Sequence, residues 1–177
     1  MADRKELRLA GSGGQGVILA SIILAEAAMN AGKNVAQSQS YGPEARGGVC
    51  KSEVIISGSD IGFPKVISPT FLLALTQDSA DKYCRDLPKD CIVMLDSELI
   101  VPEGLDGYKV YTVPILQSAK EVVGKAFTAN IVAIGAINKA LGIAPEDVLR
   151  STVGGRVPKG TEDINFKALD VGAGLVS

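Results

Sequence analysis

The sequence predicts an α/β fold: a doubly wound, mostly parallel sheet with helices on both faces, in three layers. Three observations carry this. Short strand-like segments alternate with helix-like segments along most of the chain. Several strand runs are apolar without alternation, as befits strands covered on both faces. A glycine-rich turn joins the first strand to the first helix.

The elements follow in order. Residues 6–10 (ELRLA) alternate and end on glycine, as a first strand would. Residues 17–31 are rich in Ala, Ile and Leu at helical spacing, and Gly32 is a natural stop. Residues 34–39 and 51–57 read as second and third strands, separated by a Gly- and Pro-rich loop. Residues 71–76 (FLLALT) form an apolar strand, and 78–86 a helix with Asp78 or Ser79 near its start. Residues 91–95 and 109–113 are further strands. Helices are expected from 118 to 123, 129 to 141 and 145 to 152, with Pro145 at a helix start. The 177 residues fit one domain spanning 1–177, with its core at about 6–150 and a glycine-rich, charged and peripheral C-terminal segment at 153–177.

Composition excludes several functions. A net charge of −2 gives no global electrostatic case for nucleic acid. Trp is absent and aromatic residues are only 5%, so base-stacking platforms are not expected. The most apolar windows, 17–28 and 129–143, are interrupted by Glu26 or by Asn138 and Lys139 and are too short or too polar to span a bilayer. No signal-peptide pattern follows the N-terminal charges, and a cytoplasmic chain is expected. Cys50, Cys84 and Cys91 form no CxxC pair, and the chain has no His. A metal or iron–sulfur site made by this chain alone is therefore not expected, and the cysteines read as small buried hydrophobes. Lack of His also removes the commonest general acid/base near neutral pH.

Gly11, Ser12, Gly13, Gly14, Gln15 and Gly16 satisfy G-x-G-x-x-G between strand and helix. Such a loop lets backbone N–H groups approach a phosphate at a helix N-terminus, the Rossmann-like arrangement. The dinucleotide reading also needs an acid about 20 residues on, to hold the ribose hydroxyls. The second strand ends Ala36-Gln37-Ser38-Gln39-Ser40, with neither Asp nor Glu, nor an Arg for a 2′-phosphate. Close packing of the first helix, binding of another anion, and contact with a partner's backbone all stay open for this loop.

A second loop, YGPEARGG, holds Tyr41, Gly42, Pro43, Glu44, Arg46, Gly47 and Gly48. Glycine relieves and proline restricts the backbone, so a shaped loop is expected. Glu44 and Arg46 can pair with each other on a solvated turn. Alternatively, the planar fork of Arg46 suits a carboxylate or phosphate beyond the sheet's crevice.

GSGGQGVILASIILAEAA followed by QSYGPEARGGVCKSEVIIS resembles the gamma subunit (or gamma domain) of 2-oxoacid:ferredoxin oxidoreductases, the pyruvate, 2-oxoglutarate and branched-chain oxoacid enzymes. The resemblance continues through FLLALTQDSADKY, IVMLDSELI and FTANIVAIGAINKALG, over roughly residues 6–150. It implies a noncatalytic subunit in a complex that oxidatively decarboxylates a 2-oxoacid, forms an acyl-CoA and reduces ferredoxin. It implies alpha, beta and ferredoxin-like delta subunits as partners, ferredoxin as acceptor, and no membrane or nucleic acid. Thiamine diphosphate, Mg²⁺, iron–sulfur clusters and CoA belong to the complex, with none bound by this chain alone and no catalytic residue here. Residues 11–16 and 41–48 are then expected together at the C-terminal edge of the sheet, docking the thiamine-binding partner through Glu44 and Arg46. The separate, short form of the chain favours 2-oxoglutarate or a broad oxoacid range over pyruvate. Two other readings compete: a stand-alone NAD(P)-dependent dehydrogenase, and a regulatory or scaffold domain of the same fold.

Overall fold

A computed structural model of the chain describes residues 4–40 and 48–177. The elements are β1 (Lys5–Ser12), α1 (Val17–Asn30), β2 (Asn34–Ser40), β3 (Val49–Ser57), β4 (Phe71–Ala74), α2 (Gln77–Tyr83), β5 (Ile92–Asp96) and β6 (Lys109–Val113). After these come α3 (Ile115–Ser118), which runs into a π-helical turn at Ala119–Val123, then α4 (Ala129–Leu141), α5 (Glu146–Arg156) and α6 (Glu162–Gly174).

The six strands lie in the order β2-β3-β1-β4-β5-β6. β1, β4, β5 and β6 pair in parallel, whereas β3 is antiparallel to both β1 and β2. Five strands therefore point one way, as a doubly wound sheet requires, and β3 alone is reversed. The physical reason is connection length. Eight residues separate β2 from β3, enough for a hairpin but short of the dozen or more that a parallel crossover needs.

Alternation along β1 sorts the two faces. Leu7 and Leu9 enter the main core with Phe71, Leu73 and Met94, under α1 and α4. Arg8 points the other way, with its Nε donating to Glu53 at 2.7 Å and its guanidinium 5.4 Å from the Tyr83 ring of α2. A smaller cluster beneath α2 holds Leu72, Ala74, Val93 and Leu95. The start of α2 is set by Thr76, whose side chain accepts the Ser79 N–H while the Ser79 hydroxyl accepts the Thr76 N–H.

The C-terminal segment corrects an expectation. Residues 153–177, read as peripheral, supply the end of α5 and all of α6, and Ala168, Leu169 and Val176 belong to the main core. α6 lies directly on α4. A Cβ at Gly135 would collide with the Leu169 carbonyl, and one at Gly172 with the Val132 carbonyl. These glycines allow two backbones to touch, and that contact makes α4 buried on nearly every side.

Candidate functional site

The strand register brings the end of β1, where the glycine loop begins, to the same edge as the end of β2 and the start of β3. Ser12 pairs with Val49, Gly11 with Cys50, and Ser40 with Lys51. The glycine loop thus leaves β1 beside the residue where the 41–48 segment returns to the sheet, with half-buried Gly48 just before β3. Tyr41, Gly42, Pro43, Glu44, Arg46 and Gly47 lie outside the described residues.

Within the loop, Gly14 (φ 91°) and Gly16 (φ 74°) adopt the left-handed conformation that favours glycine. Gly16 also stands where a Cβ would press on the Asn130 side chain of α4. Gln15 turns its side chain back toward the strand. Its Oε1 accepts the Ser12 N–H at 2.8 Å, and a Cβ at Gly11 would strike that same oxygen. One of the loop's donors is therefore already committed inside the loop.

A cavity of about 480 Å³ opens in front of this loop. Its walls include Gly14, Val17, Ile18, Leu19, Ile22 and Cys50, and among the described residues no cationic side chain lines it. The described part of the lining therefore offers an anion no side-chain charge, only the backbone N–H groups of the loop. The ribose-acid position is missing for a second, structural reason. β3 separates β2 from β1, so the end of β2 lies about 10 Å away, two strand spacings rather than one.

The outward side of α1 is the unusual feature. Among its fourteen residues only Ser21, Glu26 and Asn30 are polar, and Glu26 is engaged by Arg156 of α5. Leu19 is 37% exposed and Phe127, just before α4, is 65% exposed. Leu19 is shared between the loop cavity and a neighbouring groove of about 230 Å³ lined by Phe127, Ile131 and Val157. Eight of the fourteen residues of α1 are buried within the chain, and the apolar side chains it leaves exposed are Leu19 and Met29, where a surface helix ordinarily carries polar residues.

A somewhat larger cavity, about 560 Å³, lies at the opposite edge around Arg4, Glu6, Ser57 and Thr70. Its chemistry is structural. The buried Glu6 carboxylate accepts the N–H groups of Ile67 and Ser68 and pairs with Arg4, clamping the segment before β4. Asp96, fully buried at the end of β5, has a similar role that the sequence reading missed. Its two oxygens accept the N–H groups of Glu98 and Leu116, tying β5 to the start of α3.

The cysteines fall in two places. Cys50 borders the loop cavity on one face of the sheet, while Cys84 and Cys91 are in the cluster under α2. Burial, aided by Asp81, pushes the Cys84 thiol up to about 11; burial, aided chiefly by Asp90, pushes Cys91 up to about 12. Thiols held protonated in apolar surroundings are poor metal ligands. Among the described residues, no three His, Cys, Asp or Glu side chains converge on a metal-sized point, and no helix is long and apolar enough to cross a membrane.

Residues 6–175 match the family described as pyruvate ferredoxin/flavodoxin oxidoreductase. A 2-oxoglutarate synthase subunit KorC from Methanocaldococcus jannaschii is 42% identical over 172 residues, covering 96% of this chain and 92% of the relative. A ketoisovalerate oxidoreductase subunit VorA from Methanothermobacter marburgensis is 35% identical over 173 residues, covering 94% of this chain but 35% of the relative. Among solved structures, the gamma subunit of a keto/oxoacid ferredoxin oxidoreductase from Geobacter sulfurreducens shares the fold with a TM-score of 0.88. It is 42% identical, over 97% of this chain and 95% of that one.

Proposed function

The chain belongs to the pyruvate ferredoxin/flavodoxin oxidoreductase family as a gamma subunit of a 2-oxoacid:ferredoxin oxidoreductase, and from that premise we propose that it is the docking subunit of a complex acting on 2-oxoglutarate. The substrate reading is supported by the 42% identity to the 2-oxoglutarate synthase subunit over nearly the full length of both chains. In the proposed division of labour, alpha and beta subunits hold thiamine diphosphate with Mg²⁺ and the CoA site. A ferredoxin-like delta subunit carries iron–sulfur clusters and passes electrons to ferredoxin. The donor set of this chain, three buried thiols on two faces of a sheet and no His, does not fit a cluster of its own.

The observation that carries the docking role is the apolar outer face of α1, continuous at its N-terminus with the glycine-loop cavity. In the ketoisovalerate relative the matching region is about a third of a longer chain. A partner that is covalently attached there must be recognised by surface alone when the unit is a separate chain. Gly11, Ser12, Gly13, Gly14, Gln15 and Gly16 supply the backbone rim of this surface. Residues 41–48, with Glu44 and Arg46, supply its charged edge.

Co-purification of the complex tests the reading. Arg46→Ala in the loop, and separately Leu19→Asp on α1, should reduce recovery of the partner subunits while the chain stays folded. Full recovery and full 2-oxoglutarate turnover with both variants would refute it.

A further inference from the structure

Three elements meet at a buried cluster of uncharged polar side chains. Ser21 of α1 and Ser52 of β3 are fully buried, with hydroxyl oxygens 2.5 Å apart. The Gln37 amide of β2 reaches both, with Nε2 3.1 Å from Ser21 Oγ and 3.0 Å from Ser52 Oγ. Ser21 donates its own proton to the Ile18 carbonyl at 2.7 Å, which leaves its oxygen as an acceptor for the other two. Ser52 Oγ also lies 3.2 Å from the Ser38 carbonyl across the strand pair.

β2 needs such a device. It is an edge strand of sequence NVAQSQS in which no residue is fully buried. Hydrophobic patterning, which normally sets register, is nearly absent: Val35 is the one large apolar side chain, and it packs against the main core. A one-residue slip would send Gln37 to the opposite face. A two-residue slip that places Ser38 opposite Lys51 would bring Val35 beside the serines, removing the amide. The reverse two-residue slip lets Gln39 replace Gln37, but puts Gln37 where Val35 meets the core. Only the observed register satisfies the hydroxyls and the core together.

We propose that Ser21, Gln37 and Ser52 are positioning residues that lock the register of β2 against β3. They thereby fix the hairpin ends, Ser40 and Val49, relative to α1 and its glycine loop. Buried polar groups here specify one pairing among several that are otherwise close in energy. The consequence for complex assembly rests on the docking reading above; the register lock itself does not.

The test is cysteine cross-linking in the full chain with Cys50→Ala as background. Lys51→Cys combined with Ser40→Cys reports the observed register, and Lys51→Cys with Ser38→Cys reports the two-residue slip. The first pair should form its disulfide in preference to the second. Ser52→Val and Gln37→Met should each reduce that preference roughly tenfold, the weight of one buried hydrogen bond. Ser52→Thr, which has the shape of Val but keeps the hydroxyl, should retain it; a packing role would treat the two alike. If the Ser52 variants do not fold, Gln37→Met decides, since Gln37 is only half-buried. An unchanged preference in Gln37→Met and Ser52→Val, or equal loss in Thr and Val with none in Met, overturns the proposal. Carried into the complex, Gln37→Met should weaken assembly. A shifted register with undiminished assembly would sink the docking role of residues 41–48 and leave the lock standing.

Discussion

Gln15 folds back over Gly11, and its Oε1 accepts the backbone N–H of Ser12 at 2.8 Å. The glycine loop thereby uses one of its own donors to brace itself, where a phosphate-binding loop would present it outward. Gly11→Ala places a methyl against that oxygen and displaces the Gln15 side chain. A stability loss of about 1 kcal/mol is expected, the net value of one such bond, measured by urea denaturation. Gln15→Ala should give a loss of the same size, and the two together little more than either, because both remove one interaction.

The α4–α6 contact sets a larger effect far from the loop. Gly172→Ala drives a methyl into the Val132 carbonyl, a backbone atom that cannot swing aside. Overpacking at such a point costs about 3 kcal/mol, which thermal unfolding would show as a marked fall in Tm. Gly174, only two residues on, faces open space, and Gly174→Ala should be neutral or slightly stabilising.

The apolar surface of α1 makes the opposite kind of prediction. Leu19 is at the third position of the helix, and α1 has no acid in its first turn. Leu19→Asp should therefore leave the isolated chain within about 0.5 kcal/mol of wild type, since an acid there complements the helix dipole. Recovery of partner subunits should nonetheless fall. Phe127→Ser, across the neighbouring groove, should behave in the same way.

Stability should decline in mild alkali. Cys84 and Cys91 have folded values of about 11 and about 12 against an ordinary 9.0. Below pH ~9 both states hold these protons, and the burial contribution is complete. As pH climbs from about 9 toward 12 the unfolded chain releases them first, so unfolding is increasingly favoured. Urea midpoints should fall across this range, and Cys91→Val should flatten the slope.

Much of the fold was legible because its signals are local. Val17–Asn30 and Ala129–Leu141 fell within a residue or so of expectation, since both are long, strongly apolar and bounded by glycine. The direction of β3 was not legible from KSEVIIS, which reads alike in either direction; the eight-residue connection held that information. The mix of glycine and charge over 153–177 pointed to a peripheral segment, whereas Gly172 marks the close approach of α6 to α4. The family match reaches residue 175 accordingly, beyond the 150 expected. At the site, the glycine pattern marked the turn between β1 and α1, and the structure has that turn. The pattern could not show that Gln15 occupies a donor of that turn or that β3 displaces β2, because both depend on contacts between distant segments.

Reconstitution of activity tests the central claim most directly. The chain would be assayed alone and with its partner subunits for 2-oxoglutarate oxidation, with thiamine diphosphate, Mg²⁺, CoA and ferredoxin supplied. The account expects no turnover by the chain alone, and turnover by the complex that falls when this subunit is omitted and returns when it is added back. Turnover by the isolated chain, or a complex equally active without it, would contradict the account.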